Sequence, residues 1–82
     1  MKENMVVTLA SLVEDMMSTV QVSNMYICFV SIKTDRMSGF GSVKKEGMEI
    51  KYTLPQYVRN ANAFLVTSWS YNVSTNILTI RY

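Results

Sequence analysis

The stretch MVVTLASLVEDMMSTVQVSNMYICFVSI, residues 5–32, contains a change of period that decides the fold. Placed on a helix at about 100° per residue, Met5, Val6, Leu9, Leu12, Val13, Met16, Met17 and Val20 fall within an arc of about 140°. Thr8, Ser11, Glu14, Asp15, Ser18 and Thr19 occupy the opposite side, and only Val7 is misplaced. Asn4 stands where its side-chain oxygen would accept from an orphan amide of the first turn, as an N-cap does. Val and Thr are mediocre helix formers, so a helix over residues 5–20 must be held by packing. From Met25 the pattern changes. MYICFVSI is β-branched and aromatic at both alternating sets of positions, as expected of a central strand covered on both faces.

Downstream, the chain reads as a series of further strands. Thr34-Asp35-Arg36 makes a turn, and MSGFGSVK, residues 37–44, is a second strand whose Gly39 and Gly41 imply a bulge or a close backbone approach. Lys45-Glu46-Gly47 turns the chain again. Met48, Ile50, Tyr52 and Leu54 then alternate with Glu49, Lys51 and Thr53, the period of a strand with one face in the core. Pro55 ends that strand, and residues 55–62 read as a loop or a single helical turn. Ala63–Tyr71 is strand-like, residues 72–76 turn, and Ile77–Tyr82 forms a last strand. The expected fold is α+β in one domain, residues 1–82: an N-terminal amphipathic helix packed on an antiparallel sheet of four to five strands. One helix covers about 10 Å of width, and four strands at a spacing of ~4.8 Å need nearly twice that. The remainder is expected to be covered by a second copy.

Composition narrows the chemistry. In 82 residues there is no histidine, which removes the commonest general base, metal ligand and pH switch together. Cys28 is the single cysteine, so neither a Cys/His zinc site nor an internal disulfide can form within one chain. It lies in the most apolar run and reads as a small buried hydrophobe. The six carboxylates show no metal-binding spacing, and no Gly-x-Ser-x-Gly elbow occurs. No cofactor, metal or catalytic residue is therefore expected. Met16–Ile32 and Asn60–Ile80 carry no charge, but both are too rich in Ser, Thr, Asn and Gln for a spanning helix. Glu3 and Glu14-Asp15 flank the first apolar run, against a signal peptide, and the expected location is cytoplasmic.

Net charge is +2, and its basic part is concentrated in the middle of the chain. Lys33, Arg36, Lys44, Lys45, Lys51 and Arg59 lie there with Phe40, Tyr52 and Tyr57 among them. Gly39-Phe40-Gly41-Ser42-Val43 partly resembles the glycine-aromatic core of RNA-recognition motifs and cold-shock domains. In those families exposed rings stack on unpaired bases. Ser38 and Ser42 depart from the pattern, as does Lys45, so the likeness is confined to this short segment.

Two functional expectations follow. The first is a non-enzymatic interaction protein, a homodimer that acts as adaptor or inhibitor on a protein partner. Met5, Leu9, Leu12, Met16, Phe64, Trp69 and Tyr71 are its candidate oligomer interface. The second is a nucleic-acid-binding protein that uses Lys33, Arg36, Phe40, Lys44, Lys45, Lys51, Tyr57 and Arg59, provided that the sheet has a solvent-accessible face. Against the second stands a plainer role for the same cations, keeping an apolar sheet soluble and its edges unpaired.

Overall fold

A computed structural model describes residues 6–82. The elements are β1 (Val7–Thr8), α1 (Leu9–Val20), β2 (Asn24–Ser31), β3 (Arg36–Glu46), β4 (Glu49–Thr53), β5 (Leu65–Val66), β6 (Ser68–Asn72) and β7 (Ile77–Arg81). The α+β class, with one N-terminal helix packed on a five-stranded sheet, is as the sequence indicates.

The helix starts later than its hydrophobic stripe suggests. Val7 and Thr8 pair antiparallel with Val66 and Leu65, so two β-branched residues find a strand partner before the helix begins. This accounts for Val7, the residue out of place on the helical wheel. Thr8 is the N-cap, its Oγ1 accepting from the Ser11 amide at 3.2 Å. The expected cap Asn4 and the stripe residue Met5 lie outside the described residues. At the other end Gln21, in the left-handed region at φ 56°, donates its amide to the Met17 carbonyl and closes the helix.

The sheet order is β4-β3-β2-β7-β6. Three of its four strand pairings follow the antiparallel expectation, but β2 and β7 run parallel, making the sheet mixed. A parallel neighbour requires a crossover. Here residues 54–67 make it, leaving the edge strand β4 and reaching the opposite edge strand β6 across the face that carries α1. The Leu9 amide bonds the Phe64 carbonyl at 2.8 Å and the Ala10 amide bonds the Ala61 carbonyl at 2.9 Å, tying helix to crossover. Val58 and Ala61 are buried in the core, with Leu54 and Phe64 packed against it. The part of this face that one helix cannot cover is therefore covered by the chain's own crossover, and a second copy is not needed there.

Two strand readings change accordingly. Residues 63–71 are not one strand. The amide and hydroxyl of Thr67 both donate to the Arg81 carbonyl, and this corner separates β5 from β6. Met48, expected in the core, lies in the β3–β4 turn and is almost fully exposed, because the ladder ends at the Glu46–Glu49 pair.

The crossover also explains the glycines of β3. The bulge in this pairing lies between Phe29 and Val30, where Phe29 faces Gly39 but Val30 faces Met37. Gly39 and Gly41 themselves turn toward the crossover. A Cβ on Gly39 would lie 2.6 Å from the Tyr57 hydroxyl, and one on Gly41 would lie 2.6 Å from the Thr53 carbonyl oxygen.

Candidate functional site

Residues opposite one another in neighbouring strands share a face. Met25, Ile27 and Phe29 of β2, Val43 of β3 and Leu78 and Ile80 of β7 face α1 and the crossover and are buried. The other face is open, contrary to the expectation that β2 is covered on both sides. Its rows run Thr53–Ser42–Tyr26–Ile77–Asn72 and Phe40–Cys28–Thr79–Ser70, with Lys51–Lys44–Asn24 at one end. At its centre Tyr26 and Phe40 stack with ring centroids 5.9 Å apart and an interplanar angle of 25°. They are 50% and 51% exposed. Cys28, beside them, is half-buried rather than part of the core.

This face is the candidate site, and it gathers only part of the expected set. Phe40, Lys44 and Lys51 belong to it. Lys33 and Arg36 lie at the β2–β3 turn, beyond the rings. Lys45 is opposite Ile50 and lines a groove of about 590 Å³ between α1 and β4, together with Glu14, Met17 and Tyr52. Arg59 lines an adjoining depression beside Val58 and Asn60. Tyr57 stacks on Tyr82 on the crossover side, and its hydroxyl lies 2.9 Å from the Ser38 hydroxyl. The basic residues thus surround the fold instead of converging.

The open face is also electrostatically balanced. Glu46 holds Lys51 at 3.1 Å and Lys44 at 3.3 Å, and Asp35 holds Arg81 at 2.9 Å. Lys44 and Lys51 thus share one carboxylate, Arg81 meets another, and Glu49 stands opposite Glu46. The hydrogen bonds from Lys51 and then Lys44 hold the Glu46 carboxyl below the ordinary carboxylate range. Because the folded state lowers this pKa, the pair's contribution is present above the unfolded value and is lost as pH falls through the folded one. An NMR titration of the Glu46 side chain is expected to give a midpoint below that of glutamate in an unstructured peptide. Lys51→Ala should move it back up.

The remaining titratable groups offer little chemistry. Burial, then the charge of Glu14, raises the Tyr52 phenol. Burial chiefly raises Tyr57, so neither ring is a base near neutrality. Among the described residues no three His, Cys, Asp or Glu side chains come together, and no helix is long and apolar enough to cross a membrane.

Of the expected oligomer residues, Leu9 and Leu12 are corrected by the structure. They are 0% and 4% exposed in the core of their own chain and leave no surface for a second copy. Phe64 and Met16 are half-buried against that core. Trp69 and Tyr71 lie on the edge strand β6, Trp69 exposed and Tyr71 half-buried. Sequence reasoning missed Tyr26. The signal was there, since Tyr26 and Cys28 are the less apolar set alternating with Met25, Ile27 and Phe29, but both sets are apolar enough to hide the period.

The chain matches no protein-family model, no curated protein and no solved structure.

Proposed function

We propose that this chain is a non-enzymatic interaction protein, a homodimer that serves as adaptor or inhibitor by offering its open sheet face to a protein partner. One observation carries this: a solvent-facing aromatic pair, Tyr26 and Phe40, in a sheet face where Lys44 and Lys51 share the Glu46 carboxylate and Arg81 meets Asp35. Exposed rings framed by small hydroxyl side chains such as Ser42, Thr53 and Thr79 suit a protein interface, where aromatic anchors carry much of the energy. Polyanion binding draws its affinity from cations that displace counterions from phosphates, and here the two lysines have Glu46 and Glu49, competitors of a like-charged phosphate, beside them.

The stacked pair beside Lys44 and Lys51 also favours a second reading, single-stranded nucleic acid held by base stacking. Fluorescence anisotropy of labelled single- and double-stranded oligonucleotides at about 50 mM salt separates the two. No saturable binding is expected. Binding that weakens steeply with salt and is lost in Phe40→Ala would overturn the protein-partner assignment in favour of nucleic acid. Light scattering on the full chain tests the homodimer itself. A monomer at every accessible concentration contradicts it.

A further inference from the structure

The two edges of the sheet are built differently. On β4 the strand carries Glu49 and Lys51 and is followed by Pro55, devices that discourage edge-to-edge pairing. On β6 the sequence is Ser-Trp-Ser-Tyr-Asn, inside a run from residue 60 to residue 80 with no charge and no proline. Among the described residues β6 is hydrogen-bonded to β7 alone, so alternate amides and carbonyls of its outer side face away from the sheet. From these differences we infer that the homodimer forms by antiparallel pairing of β6 with β6 of a second copy. This rests on the homodimer of the preceding subsection and names its surface.

Self-pairing is favoured over pairing with a foreign strand by what two identical copies would place together. A two-fold axis through Ser70 sets Trp69 of each strand opposite Tyr71 of the other, and Ser68 opposite Asn72. The aromatic pairs lie on the helix side, where Trp69 and Tyr71 stand opposite Ile80 and Leu78 of the core. The small polar pairs lie on the open face. A charged residue near such an axis would meet its like, and this strand has none. Trp69, although on the core side, is 41% exposed, being at an edge beyond which the described residues place no strand. Its counterpart Tyr71 is already oriented, its hydroxyl donating to Asn76 Oδ1 at 2.6 Å.

Symmetry carries the inference further. Antiparallel edge pairing requires the two-fold axis to run perpendicular to the sheet, so both helices fall on one side. The two open faces then join into one continuous ten-stranded surface with two Tyr26–Phe40 pairs. A partner would meet a bivalent platform.

The test is light scattering on the full chain from low micromolar to several hundred micromolar, with Ser70→Lys and Ser70→Glu. Ser70 is exposed, on the open face of its own sheet. The unsubstituted chain is expected at twice 9.4 kDa. Either variant alone should weaken dimerisation by about tenfold or more, because like charges then meet across the axis. An equimolar mixture should restore it. Hydrogen exchange on the unsubstituted chain should show β6 amide protection rising with protein concentration, a readout that stands even if a variant fails to fold. A monomeric unsubstituted chain overturns the homodimer and this edge together. A dimer indifferent to both substitutions, or variants that dissociate but do not recombine, overturns this register and leaves the homodimer standing.

Discussion

Phe29→Ala is expected to remove most of the stability of this fold. The ring is fully buried in the central strand β2, between Gly39 of β3 and Ile80 of β7 in the ladder. It meets Phe64 edge-on at 5.7 Å and Tyr57 at 6.2 Å, so it joins the sheet to the crossover at two points. Removing a buried phenyl costs about 3–5 kcal/mol, the transfer free energy together with the cavity left behind. The glycine opposite makes collapse of that cavity harder, since no neighbouring side chain on β3 is available to fill it. Domains of this size hold only about 5–10 kcal/mol in total, and each kcal/mol corresponds to roughly 4–8 °C in Tm. Thermal and urea melts should therefore show a fall of about 15–30 °C, whereas Phe29→Leu should cost less than about 1.5 kcal/mol. A loss below about 1 kcal/mol for the alanine variant would mean that the crossover does not pack on β2 as described.

The aromatic contacts that make Phe29 central also show what the sequence could convey. Local patterns are sufficient for α1, for β2 as a strand and for the alternation of β4, because each depends on residues near one another in the chain, but not for which face of β2 is open. The crossover was not legible. Pro55-Gln56-Tyr57-Val58 reads as a loop, and nothing local says that such a loop passes over β3 and buries Val58 and Ala61. Without it, half of the helix-side face is left for a second copy, and Leu9 and Leu12 fall in that copy's interface, whereas they pack within their own chain. The parallel pairing of β2 with β7 escaped for the same reason, since strand direction follows from where a connection goes.

The candidate site was half legible. Phe40 and Lys44 were located through the glycine-aromatic segment and the basic middle of the chain, but which of those residues share a face depends on register. Lys44 and Lys45 are sequence neighbours, and the strand sends one to the open face and the other to the groove beside α1. Arg59 and Tyr57 left the set because the crossover carries them to the helix side. The cancelling carboxylates were hidden too. Glu46 reaches Lys51 only because the β3–β4 hairpin brings the two strands together.

The glycines of β3 give a prediction that separates folding from recognition. Gly41→Ala should destabilise the protein by about 1–3 kcal/mol, the range for forcing an extra methyl group into a packed site. The added Cβ would lie 2.6 Å from the Thr53 carbonyl oxygen and 3.4 Å from Leu54 Cδ2. The closer contact is backbone at the end of β4, so relief requires that end to move away from β3. In Gly39→Ala the contacts are the Tyr57 hydroxyl at 2.6 Å and Pro55 Cγ at 2.8 Å, both side-chain atoms on the crossover. That variant should cost less and should be felt through the Ser38–Tyr57 hydrogen bond. Urea melts rank the two, and hydrogen exchange should show lost protection in β4 for Gly41→Ala alone. If the glycines instead served close approach of a nucleic acid, as in the families whose motif they partly resemble, the pattern would invert. Stability would be nearly unchanged and oligonucleotide binding would fall. The methyl groups point to the crossover and away from the ring face of Phe40, so the loss should appear in stability.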